Sequence, residues 1–161
     1  MSERKKKRQT PLDQCDVKLL RLLQQNNRLT AAELSEAVNL SSSAVQRRIK
    51  RLHDEKVIEA NVSIVSPSIA GLSVMCVVDV ILRDGNSQAL ERFKSTMQKC
   101  PEVAQCYFVT GTYDFVLLVH AKDMHHYEAF AKRWLMDNPN VKHFYTHVVM
   151  DRVKITHSVA L

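Results

Sequence analysis

The sequence predicts an α+β chain in two parts, and three observations predict it. Residues 12–60 read as three helices with a tight turn between the last two. At Ser73 the apolar period changes from helical to alternating. From there strand and helix patterns follow the order β-α-β-β-α-β. The expected organisation is a disordered basic arm over 1–11, a helix-turn-helix (winged-helix-like) domain over 12–60, a hinge strand or linker over 61–71, and a ferredoxin-like domain over 72–161.

The arm carries Arg4-Lys5-Lys6-Lys7-Arg8, a block of like charge with nothing to pack. It serves either as a solubilising tail or as a source of salt-dependent phosphate contacts. The net charge of +6 sits mostly there: residues 1–11 hold five basic and one acidic residue, so +4. Residues 12–60 hold eight and seven, and 61–161 hold ten and nine, so each part is near neutral. A nucleic-acid surface on the folded part must therefore come from arrangement rather than bulk charge.

Leu12 to Gln25 predicts the first helix, with Asp13 and Asp16 favouring its N-terminal turn and Val17, Leu20 and Leu23 marking one face. Thr30-Ala31-Ala32-Glu33 is a capping box that opens a short second helix. Asn39 suits a left-handed C-terminal position, and Ser41 caps a third helix from about Ser42 to Glu55. Val45, Ile49 and Leu52 fall on one face of that third helix. Ser43, Arg47 and Lys50 lie about 180° away, flanked by Gln46 and Arg51. Small serines let a helix start approach a surface, while Arg and Gln have fork geometries that match guanine and adenine edges. The alternative is a solvated amphipathic face. The helix-turn-helix pattern around it favours DNA, and the candidate contacts are Ser42, Ser43, Gln46, Arg47, Lys50 and Arg51.

Leu12-Asp13-x-x-Asp16, Leu23-Gln24-x-Asn26-x-Arg28-Leu29-Thr30, Glu33-Leu34-Ser35, Val38-Asn39-Leu40-Ser41 and Arg48-Ile49-Lys50-Arg51-Leu52 resemble the Lrp/AsnC (feast/famine) transcriptional regulators. The resemblance runs over essentially the whole chain after Thr10. It departs at Lys56, where the family usually has Gly, and Lys in a left-handed turn costs on the order of 1 kcal/mol. The third helix is therefore free to end differently. Arg48 matches a family position but sits nearer the core flank.

Glu59 to Val65 reads as a strand or extended hinge, and Ser66-Pro67-Ser68 with Gly71 breaks the chain. Strands follow at Val74–Leu82, Val103–Val109, Phe115–Ala121 and Val141 to about Thr156. Helices follow at Ser87–Cys100, with Leu90, Phe93, Met97 and Cys100 inward, and after Asp123, with Met124, Tyr127, Phe130/Ala131 and Trp134 inward. Both helices cover one sheet face. The other also reads as apolar, through Val74, Val78, Val116 and Val148, which implies a homodimer formed sheet to sheet. The resemblance implies the same, since the family's second domain, often called RAM, dimerises through its sheets and commonly builds octamers.

No catalytic constellation is present. Gly71, Gly85 and Gly111 are the only glycines, so no Gly-rich phosphate loop exists. Adjacent His125 and His126 point about 100° apart on a helix and do not suit one metal. Alternating His143, Tyr145 and His147 share a strand face, which suits a polar or pH-sensitive interface. Four cysteines without metal spacing, a basic start without an apolar run, and no apolar stretch of spanning length predict a cytoplasmic protein with reduced thiols. No cofactor, metal or membrane is expected.

The stretch Tyr107 to Phe115 holds the second candidate site. Gly111 allows an unusual backbone angle and leaves amides open for a carboxylate, and Asp114 suits an ammonium. The alternative is a hairpin turn in which Asp114 caps its own backbone. The resemblance adds an effector loop of the form G-x-x-D-[FY], matched by Gly111, Asp114 and Phe115. It implies an effector, an amino acid in most family members, bound between dimers, with Tyr107, Thr110, Thr112, Tyr113 and Met124 nearby. The expected function is a sequence-specific regulator of transcription that responds to such an effector. The alternatives are a largely sequence-blind architectural DNA-wrapping protein, and an enzyme or an enzyme's regulatory subunit.

Overall fold

The computed structural model describes residues 11–161; residues 1–10, which hold the basic run expected as an arm, lie outside them. The chain divides into two compact units. One runs through Ser63 and also takes in Lys154–Leu161, and the other is Ile64–Val153.

The first unit holds α1 (Gln14–Gln25), α2 (Ala31–Val38) and α3 (Ser42–Asp54). Two capping boxes start α1 and α2: Asp13 and Asp16 exchange side-chain and backbone bonds, and so do Thr30 and Glu33. Asn39 takes the left-handed conformation at φ 54°, which turns the chain sharply into Ser41, the cap of α3. The core is Leu19, Leu34, Val38 and Val45, with Leu22, Leu29 and Ile49 packed on it. Lys56 adopts φ 60°, so α3 ends as a glycine would end it. The Val57 N–H reaches the Leu52 carbonyl and the Lys56 N–H reaches that of His53, a Schellman pattern that compensates the strained Lys. Residues 59–65 form no strand, contrary to the first of the two forms expected there.

The second unit holds β1 (Val74–Leu82), α4 (Ser87–Gln98), β2 (Val103–Phe108), β3 (Phe115–Ala121), α5 (Met124–Ala131) and β4 (Val141–Val148). Its strands form a four-stranded antiparallel sheet in the order β2-β3-β1-β4. A π turn over Lys132–Met136 extends α5. Alternation places Cys76, Val78, Val80 and Leu82 of β1, with Phe115, Leu117 and Val119 of β3, against Phe93, Met97, Tyr127 and Phe130. Burial raises the Cys100 thiol to about 12, helped by the Glu102 carboxylate, so this thiol behaves as a small hydrophobe.

Three expectations are corrected here. β4 ends at Val148, not near Thr156, because residues 154–161 belong to the helical unit, where Val159 exchanges backbone hydrogen bonds with the Gln24 amide. Met124 is 49% exposed rather than inward. And Val78 is on the helix-covered face, as are Val74, which packs on the core, and Val148, which pairs with Cys76. The second face is lined instead by Met75, Val77, Ile81, Val116 and Leu118, with Asp79, His120, His143, Tyr145 and His147 among them. A one-residue shift in parity exchanges the faces of a strand, so the apolar residues of the second face are not those the sequence reading named.

Candidate nucleic-acid interface and effector loop

The outer side of α3 is set by what its inner side buries. Val45 and Leu52 are fully buried, which turns Gln46, Arg47 and Lys50 out to solvent, where all three are exposed. None of these three has a hydrogen bond or ion pair among the described residues, so their donors are available to a partner. The serines at the start are partly engaged. Ser41 accepts from the Ala44 N–H, Ser43 shares a hydroxyl contact with Ser41 at 3.1 Å, and Ser42 donates to Ser35 of α2 at 3.4 Å.

Arg51, expected on the DNA-facing flank, is turned to α1 instead. Its Nη2 contacts the carboxylate of Asp16, which is completely buried. Arg48 is held twice, at 2.9 Å by Asp16 and at 2.6 Å by Asp13. The Asp16 N–H and the Arg48 guanidinium hold the Asp13 carboxyl below its ordinary range. Both acids favour the start of α1 on sequence grounds alone. Their second task, clamping α3 to α1, needed the fold to be seen.

In the second unit the loop after β2 is closed by three bonds. The Val109 N–H donates to the Asp114 carbonyl at 2.9 Å, and the Asp114 N–H donates to Val80 at 2.9 Å. The Leu82 N–H donates to the Asp114 carboxylate at 2.7 Å. Asp114 thus ties the loop to the central strand rather than capping its own backbone, and only one of its oxygens is used. Thr110, Gly111 and Thr112 are exposed at the tip, with Gly111 at φ 119°, a conformation that L residues rarely adopt. Tyr113 meets Tyr145 edge-on at 5.9 Å, a neighbour missed from sequence because two strands lie between β2 and β4 in the sheet. Tyr107 stands half-exposed at the second sheet face.

Met124 does not join this loop within the chain. It follows the far end of β3, and seven strand residues span about 20 Å. A groove of ≈ 480 Å³ does exist in this unit, between α4 and β2, but no residue of Thr110–Asp114 lines it. No cluster among the described residues suits a metal ion, and no helix of the described residues is long and apolar enough to cross a membrane.

Residues 12–53 match the AsnC-type helix-turn-helix domain, and residues 75–159 match the Lrp/AsnC ligand binding domain. A helix-turn-helix transcriptional regulator of Sinorhizobium fredii is 49% identical over 93% of this chain and 89% of its own length. The proline dehydrogenase transcriptional activator of Rhizobium radiobacter is 33% identical over 90% of this chain and 93% of its own. The crystal structure of a Neisseria meningitidis transcriptional regulator in complex with L-Met superposes with a TM-score of 0.88, at 33% identity, over 93% of this chain and 97% of that one.

The fold and the exposed helix therefore define a two-domain transcriptional regulator, with a helix-turn-helix DNA-binding head and an α+β ligand-binding body. The chain belongs to the Lrp/AsnC family.

Proposed function

We propose that this regulator recognises specific DNA sites with the outer face of α3 and responds to an amino acid held at the Gly111–Asp114 loop. The observation that carries the DNA reading is the division of charge on α3. Gln46, Arg47 and Lys50 face outward without intramolecular partners, while Arg48 and Arg51 are committed to α1. Arg47 and Gln46 then read base edges in the major groove, and Lys50, Ser42 and Ser43 hold phosphates. Two heads joined through a dimer meet grooves about 34 Å apart.

The apolar second sheet face supports a homodimer formed sheet to sheet, and family membership supports assembly to octamers. The effector reading draws on the L-Met complex of the Neisseria regulator and on the loop itself. The exposed amides around Gly111 suit a carboxylate, and the spare Asp114 oxygen suits an ammonium. Because Met124 lies about 20 Å from the loop in its own protomer, a site using both draws them from different copies. An effector there favours one assembly over another and so changes the spacing of the heads. The resulting protein is cytoplasmic and is not an enzyme.

Selection of fragmented genomic DNA by the purified protein at physiological salt, with and without an amino-acid pool, tests the proposal. Discrete pseudo-palindromic sites that shift with the pool are expected. Diffuse recovery tracking A·T content would favour the architectural alternative.

A further inference from the structure

We propose that Asp16 sets the specificity of the DNA head by withholding Arg48 and Arg51 from the phosphate backbone. This rests on the reading that the outer face of α3 meets DNA.

α3 has four Arg or Lys residues: Arg47, Arg48, Lys50 and Arg51. Asp16 takes two of them. Its Oδ1 accepts from Arg48 at 2.9 Å, and its Oδ2 accepts from Arg51 and, at 3.2 Å, from the Asp13 N–H. Asp13 adds a second acceptor for Arg48. Two carboxylates and two guanidiniums thus cancel. The arrangement resists opening, because Asp16 has no exposure to water and an arginine drawn away leaves a buried charge short of a partner.

The geometry makes the withholding consequential. Arg51 lies four residues after Arg47, about 40° around the helix and one turn along it. Both tethered side chains retain partial exposure, 26% for Arg48 and 31% for Arg51, at the edge of the face that carries Arg47 and Lys50. Released, they extend to the phosphates flanking the groove. Contacts of that kind strengthen binding to every sequence alike, whereas base readout by Gln46 and Arg47 is unaffected. Keeping two cations off the backbone therefore widens the gap between a true site and bulk DNA.

The test is the salt dependence of binding to a duplex without a site, measured on the full chain. For Asp16→Asn the slope of log affinity against log salt steepens by about 0.9 for each guanidinium freed, and the ratio of specific to non-specific affinity falls. Adding Arg48→Gln to that variant takes one step back. Asp13→Asn loosens only Arg48, at a side chain 51% exposed, and steepens the slope by at most one step. An Asp16→Asn protein with native circular dichroism and an unchanged slope overturns the proposal. If Asp16→Asn does not fold, Arg48→Gln and Arg51→Gln in the otherwise native head decide: both slopes stay unchanged while Asp16 holds the two guanidiniums, and a slope shallower by about 0.9 in either overturns the proposal. Lys50→Gln separates the two readings: its slope becomes shallower by about 0.9 if the outer face of α3 meets DNA, because Lys50 is the cation assigned there to phosphate. An unchanged Lys50→Gln slope places the failure in the interface itself.

Discussion

The Asp114 carboxylate accepts the Leu82 N–H at 2.7 Å, so a residue of the loop proposed to hold the effector also closes the end of a central strand. Asp114→Ala removes both functions and leaves a strand amide unpaired, destabilising the second unit by about 1–2 kcal/mol. Asp114→Asn keeps an acceptor and loses only the charge. Calorimetric titration with amino acids and thermal unfolding separate the two: Asn is expected to unfold near wild type without an effector response, and Ala to lose both. DNA binding survives in each. Its loss in a folded Asn variant would refute the division of labour between head and body.

Arg47 is the exposed arginine of α3 that no acid holds. Arg47→Ala is expected to weaken specific sites by about 1–3 kcal/mol in a binding titration. Unchanged affinity would mean that another face of the helix meets DNA.

Lys56 stands at φ 60° in the turn that ends α3. Glycine relieves a cost of about 1 kcal/mol there and gives back a few tenths through a freer unfolded chain. Urea denaturation of Lys56→Gly should show a gain of roughly 0.5 kcal/mol. A loss would show that the lysine side chain contributes packing worth more than the strain.

The two capping boxes make the helical unit sensitive to acid. Hydrogen bonds from the Asp16 N–H and the Arg48 guanidinium lower the Asp13 pKa from 3.8. Those from the Thr30 N–H and hydroxyl lower that of Glu33 from 4.5. A carboxyl lowered in the folded state stabilises it above the unfolded value, and that contribution drains as pH falls through the folded one. Stability should therefore decline with acid from about pH 4.5 downward. Glu33→Gln, which keeps the acceptor without the titration, should flatten the decline in denaturant midpoints.

Leu118 sits on the second sheet face, opposite Val77 of β1. A charge there faces the proposed partner. Leu118→Glu should halve the sedimenting mass at least, with circular dichroism unchanged. An unaltered mass would place the dimer contact elsewhere.

Local signals carried most of the fold. The capping boxes at Asp13 and Thr30, the left-handed Asn39 and the Ser41 cap are set by neighbours three or four residues away, so the sequence states them directly. The same holds for β1 and β3, whose observed limits, Val74–Leu82 and Phe115–Ala121, are those the alternation predicted. What the tertiary structure decided was whatever depends on a distant partner. Which parity of β1 faces the helices, which cations of α3 are spent on Asp16, where β4 gives way to a segment of the helical unit, and what the Asp114 carboxylate holds are not written within one turn or one strand. Periodicity marks a face but does not say what lies opposite it. An arginine stem long enough to reach either DNA or a neighbouring helix is assigned only when the neighbour, here a carboxylate buried beyond the reach of water, is in place.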